Sequence, residues 1–147
     1  MGYNKMRVLV DTNVAITYIS GRDDPFSSEI EAIMRLCGEE KIEGSLAFHS
    51  LSTIWYVSRK IPDEERRKWI RKLCILLTIS GADNQLILEA IDKTHFKDFE
   101  DALQDCCAVE SESDYIVTVN KRDFTGHSTV PAVTPDEFLA IFSRIEK

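Results

Sequence analysis

Apolar residues recur along the chain with two different periods. Residues 7–10 (RVLV) form an apolar run that stops abruptly at Asp11, Thr12 and Asn13. This is the pattern of a buried strand feeding a helix-capping turn. Runs at 45–48, 75–79, 115–119 and, more weakly, 130–133 predict four further strands. Between them the spacing is that of a helix face: Phe26, Ile30, Ile33, Met34 and Cys37, then Trp69, Ile70, Leu73, Cys74 and Leu77. Leu86, Ala90 and Ile91 form a third face, and Ala102, Leu103, Cys106 and Val109 a fourth. A last helix carries its own start signal, with Thr134 as N-cap, Pro135 at the first helical position and Glu137 three residues after the cap. Residues 20–25 (SGRDDP) and 38–44 (GEEKIEG) read as loops from their glycine, proline and charge content.

Strands alternating with helices imply a mainly parallel sheet covered on both faces, because parallel neighbours need crossover connections. The expected fold class is therefore α/β, a sandwich formed by one domain over residues 1–147. In open α/β sheets ligands bind beyond the carboxyl ends of the strands. Crossover helices begin at that same edge, which gathers residues just after strands and residues in the first turn of helices.

Composition narrows the class. With 147 residues, 44% hydrophobic and 29% charged, the chain is long enough for a core without disulfide or metal staples, and is neither disordered nor fibrous. The strongest apolar run, 73–79, falls far short of a membrane-spanning helix, and residues 1–7 lack the apolar segment of a secretory signal. A soluble, cytoplasmic protein with no membrane partner is expected. Cys37, Cys74, Cys106 and Cys107 form no CxxC pair, so buried reduced thiols are expected. The net charge of −7 argues, by itself, against a general nucleic-acid binder.

The carboxyl edge is where the acidity becomes chemical. Asp11 follows the first strand, where capping a helix is its ordinary role. Asp98, Glu100 and Asp101 open a helix, a position the helix dipole also favours, and Asp105 follows one turn after Asp101. Asn120 follows the fourth strand and Asp123 comes three residues later. A fold argument that never used acidity thus brings Asp11, Asp101 and Asn120 to one edge. Two carboxylates about 5 Å apart repel by roughly 3 kcal/mol at an effective dielectric of 20, a penalty a hard cation would remove. Oxygen ligands of this kind suit Mg²⁺ or Mn²⁺, and such an ion supports phosphodiester hydrolysis. His49, His95 and His127 fall in no nucleophile motif.

At these residues the sequence resembles the PIN-domain family of metal-dependent ribonucleases, which includes the toxins of VapBC-type toxin–antitoxin pairs. The resemblance is carried by VLVDTNVAI (8–16), FHSLSTIWYVSRK (48–60), DFEDALQDCCA (98–108), DYIVTVNKRDF (114–124) and TPDEF (134–138). It implies a three-layer α/β/α fold with about five parallel strands and an acidic pocket that uses Mg²⁺ or Mn²⁺ to cut RNA. Asp11 matches the family's first acid, Asp101 its third, and Asn120 the fourth site. The second acid, usually a Glu, is replaced here by Thr53. Asp105 is the metal ligand expected to make up the missing charge, with Asp98 and Glu100 as further candidates and Asp123 a weaker one. Thr12 and Asn13 either support Asp11 or cap its helix. The resemblance also implies a homodimer and an antitoxin protein as partner.

The charge is segregated. Residues 59–72 hold seven basic residues against three acidic ones, a local charge of +4 that leaves −11 for the rest of the chain. Arg59, Lys60, Arg67 and Arg71 are the candidate contacts to RNA or a protein partner, against an ordinary solvated helix face. Two other readings compete with the nuclease. A non-catalytic module that binds RNA or protein is motivated by Thr53, and a phosphoacceptor domain is disfavoured because residues 75–81 offer no Asp at the end of the third strand.

Overall fold

A computed structural model describes residues 5–146. Residues 1–4, part of the stretch read for a secretory signal, lie outside the described residues. The first strand, β1 (Met6–Val10), is followed by α1 (Thr12–Ser20) and α2 (Ser27–Gly38), which lead to β2 (Ile42–Ala47). Next, α3 (Phe48–Val57) and α4 (Asp63–Leu76) lead to β3 (Thr78–Ser80), and α5 (Asn84–Asp92) and α6 (Phe99–Glu110) cross to β4 (Tyr115–Val117). A 3-10 turn (Lys121–Asp123) then precedes β5 (Ala132–Val133) and α7 (Pro135–Glu146).

The five strands are all parallel, in the order β3-β2-β1-β4-β5. Successive side chains of a strand point to opposite faces, and β1 shows what this builds. Val8 and Val10 join a core shared with α1, α2, α4 and α7, whereas Leu9 joins a second core with α5 and α6, and all three are fully buried. The sheet is the middle layer of an α/β/α sandwich, as expected. Because both of its faces are covered, the last three residues of β1, Val8, Leu9 and Val10, read as an unbroken apolar run.

The strand order positions the site. From β1 the chain builds outward to β2 and β3, then returns to lay β4 and β5 on the other side. The carboxyl ends of β1 and β4 therefore flank the crevice at which a doubly wound sheet binds its ligands.

Two boundaries differ from the sequence reading for physical reasons. β2 begins at Ile42, within the span predicted as a loop. Gly44 is a close-approach residue of the strand, since a Cβ there would sit 2.5 Å from Leu77 Cδ2 and 2.7 Å from Cys37 Sγ. The predicted strand over 75–79 is mostly the end of α4: Leu73 and Leu77 are buried one turn apart, Ile75 is exposed, and only Thr78–Ser80 pairs with β2. A short apolar run does not by its pattern distinguish a helix end from a strand. The last helix starts as expected, with the Thr134 N–H donating to Glu137 Oε1 at 2.9 Å. All four cysteines are free, Cys37, Cys106 and Cys107 buried and Cys74 exposed. Among the described residues no helix is long and apolar enough to cross a membrane.

Candidate functional site

Asp11 follows β1 and caps α1. Its backbone N–H donates to the Val117 carbonyl at 3.0 Å, which joins it to the end of β4. Its Oδ1 accepts the Thr12 N–H at 2.9 Å and its Oδ2 accepts the Thr118 hydroxyl at 2.8 Å. Each oxygen thus keeps a lone pair for another partner. Asp98 caps α6 by accepting the Glu100 N–H at 2.9 Å, and this sets Glu100 and Asp101 in the first turn. Asn120 is placed by its own N–H, which donates to Thr118 Oγ1 at 2.9 Å.

These elements enclose a cavity of about 180 Å³ lined by Asp11, Thr12, Asn13, Thr53, Asp98, Glu100, Asp101, Asn120 and Asp123. Five carboxylates and no basic side chain line it. Burial, only partly offset by the bonds from Thr118 and Thr12, pushes Asp11 up to about 6. Asp101 rises to about 7, through burial first and then repulsion from Asp98, Asp123, Asp11 and Glu100. Carboxyls held this far above their ordinary range, in a cleft of like charges, mark a site that lacks a positive partner. Among the described residues no three His, Cys, Asp or Glu side chains stand ready to hold one ion. Oxygen donors of this kind would suit a hard cation that keeps several waters and takes only one or two carboxylates from the protein.

Of the residues expected in the pocket, Asp105 does not line the cavity. It faces the interior, fully buried, with Lys93 Nζ 2.8 Å from its Oδ2 and the N–H groups of Thr129 and Val130 donating to it at 2.9 and 3.1 Å. At about 100° per residue, side chains three apart fall about 60° short of a full turn and those four apart, as Asp101 and Asp105 are, about 40° past it, enough here to carry the side chain from the rim into the core. Thr53 reaches the cavity, but its hydroxyl donates back to the His49 carbonyl at 3.4 Å. Thr12 turns away from Asp11: its hydroxyl lies 2.7 Å from Ser50 Oγ, accepts from Gln104 Nε2 at 2.8 Å and reaches Glu100 Oε1 at 3.4 Å. Arg59, Lys60, Arg67 and Arg71 are exposed and do not line the cavity.

Sequence reasoning missed Thr118, Ser50 and Gln104, all fully buried and all supporting the pocket wall. The one available signal was a threonine two positions before Asn120, where a strand ends. A larger cavity, about 850 Å³, lies elsewhere, and there Arg22, Arg35 and Lys72 already balance Asp23, Glu31 and Glu39.

A family model described as PIN domain matches residues 7–122. No curated protein matches the sequence significantly. Among solved structures the chain is similar to VapBC2 from Rickettsia felis bound to a DNA fragment from their promoter, with a TM-score of 0.66 and 15% identity over 88% of this chain and 98% of that one. It is also similar to a toxin–antitoxin complex from Klebsiella pneumoniae, with a TM-score of 0.65 and 18% identity over 87% of this chain and 97% of that one. At these identities the likeness is one of fold.

Proposed function

The chain belongs to the PIN-domain family, and from that premise we propose that it is an Mg²⁺- or Mn²⁺-dependent endoribonuclease. The observation that carries the reading is the pair Asp11 and Asp101, brought together at the β1/β4 crevice with raised pKa values and no basic side chain lining the cavity. Asp11 and Asp101 would hold the cation, with the Asn120 amide oxygen as a neutral third donor. The bound ion would neutralise charge developing on a phosphodiester and lower the pKa of a water.

The remaining work falls to this chain's own groups. Thr118 and the Thr12 N–H fix both oxygens of Asp11. The cap made by Asp98 fixes the first turn of α6 and with it Asp101. Asn13 and Thr53 give one wall neutral polar groups that suit a phosphate oxygen, while Asp98, Glu100 and Asp123 keep the cavity selective for cations.

The test is cleavage of RNA with Mn²⁺ against EDTA, using the wild type and Asp101→Asn. Cleavage by the wild type alone, abolished by EDTA, is expected. Equal cleavage by both proteins overturns the assignment. A second reading, a PIN-domain module that binds RNA or protein without cutting, is favoured by Thr53, which brings no negative charge to its position. Neither cleavage nor a rise in thermal midpoint with Mn²⁺ would select it. The two solved structures named above are toxin–antitoxin assemblies, and we extend that to a toxin role here, with an antitoxin protein and a second copy of the chain as partners. Co-purification with the product of an adjacent small gene tests it.

A further inference from the structure

The α3–α4 hairpin is where the chain's positive charge and its outward aromatic rings coincide. Arg66 is held there almost out of solvent, its side chain only 8% exposed. Its guanidinium lies 3.5 Å from the centroid of the Trp55 ring, donates to the Trp55 carbonyl, and reaches Asp63 Oδ1 at 3.2 Å. One side of the indole is thereby fixed against a rigid cation. With Arg67, Ile70, Arg71 and Cys74, Trp55 lines a separate cavity of about 570 Å³ in which no acid takes part. The next residue, Tyr56, is 64% exposed and carries the Arg59 guanidinium 4.4 Å from its centroid.

An immobilised aromatic ring beside two exposed arginines is the arrangement that binds single-stranded nucleic acid, since any base can stack and the arginines meet the backbone. We propose that this cavity is a stacking site for a base of single-stranded RNA, with Arg67 and Arg71 contacting the flanking phosphates. The choice of RNA rests on the nuclease reading, but binding here requires neither metal nor cleavage. Trp55 lies two residues beyond Thr53 on α3, a helix about 10 Å across with its side chains. Residues two apart on a helix point to roughly opposite sides, so a strand would have to wrap around α3 to reach both cavities and hold substrate beside the cut.

The full chain, in EDTA, is titrated into a fluorescein-labelled single-stranded RNA and into the matching duplex, with polarisation as readout. Tighter binding of the single strand is expected. Trp55→Ala should weaken it by about 5- to 150-fold and Trp55→Phe should restore most of the loss. Should Trp55→Ala unfold, the exposed pair Arg67→Ala with Arg71→Ala still decides, and should lower the slope of log K against log salt by about 1.4. Unchanged affinity and slope in that double variant would overturn the site. So would a wild type that binds no RNA, or a sedimentation profile in which the double variant dissociates a dimer, because the groove would then be a protein interface. Binding that survives Asp101→Asn while cleavage is lost supports both proposals. Stacking without cleavage in the wild type removes only the nuclease reading, and cleavage without an effect of these variants removes only this one.

Discussion

Asp101 and Asp105 lie one turn apart on α6, and the fold uses them in opposite ways. Asp105 is fully buried, yet its oxygens meet the Lys93 ammonium and two backbone N–H groups. Asp101 is less buried, faces Asp98, Asp123, Asp11 and Glu100, and its pKa climbs to about 7. Depth alone does not separate a structural carboxylate from a functional one. What separates them is whether the surroundings have already supplied the positive charge, because a buried charge is tolerated only when paired and hydrogen-bonded. The pocket leaves that requirement open, and on the proposed reading a divalent cation would meet it.

The contrast breaks most visibly under mutation. Asp105→Ala strands Lys93 and two amides and should cost about 3–5 kcal/mol in urea denaturation, a large share of the roughly 5–15 kcal/mol that holds a domain together. Asp101→Asn removes a repelled charge and should leave stability equal or higher. Equal losses from both substitutions would mean that the two carboxylates are not different in kind.

Metal sharpens the contrast from the other side. At 100 times its dissociation constant, Mn²⁺ should stabilise the wild type by about 2.7 kcal/mol, read as a rise in thermal midpoint, and Asp101→Asn should abolish the rise. Thr118→Val, which takes only the hydroxyl from Asp11 Oδ2, should lower Mn²⁺ affinity by about 10- to 100-fold in a calorimetric titration. An unchanged affinity there would demote Thr118 to a packing residue.

The smallest effect is that of pH on the metal-free protein. Asp11 and Asp101 keep their protons to about 6 and about 7 when folded, against 3.8 in the unfolded chain. Between those values the folded state binds more protons, so this contribution to stability is fullest below about pH 4 and is lost as pH rises through 6 and 7. Urea titrations in EDTA should show that decline in the wild type and a shallower one in Asp101→Asn.

Much of this is legible in the amino-acid sequence alone. RVLV followed by Asp11, the capping signal at Thr134 and the acids of 98–101 are local patterns, each set by the chemistry of a few neighbouring residues. Asp105 was misassigned because helical spacing fixes a direction only to within a turn, and the deciding partners, Lys93 and the Thr129 and Val130 amides, come from other segments. Thr118, Ser50 and Gln104 escaped for the same reason, since a buried polar side chain looks like any other until its partner is beside it. Gly44 misled in the opposite direction, as a turn signal by composition that serves as a gap for Leu77 and Cys37.

The central claim is that the unpaired carboxylates of the β1/β4 crevice form a divalent cation site. Isothermal titration of Mn²⁺ into the wild type and Asp101→Asn at pH 8, where Asp11 and Asp101 are both ionised, tests it directly. Saturable binding by the wild type that is lost in the variant is the predicted result. Binding of equal strength in both proteins, or none in the wild type, would contradict it.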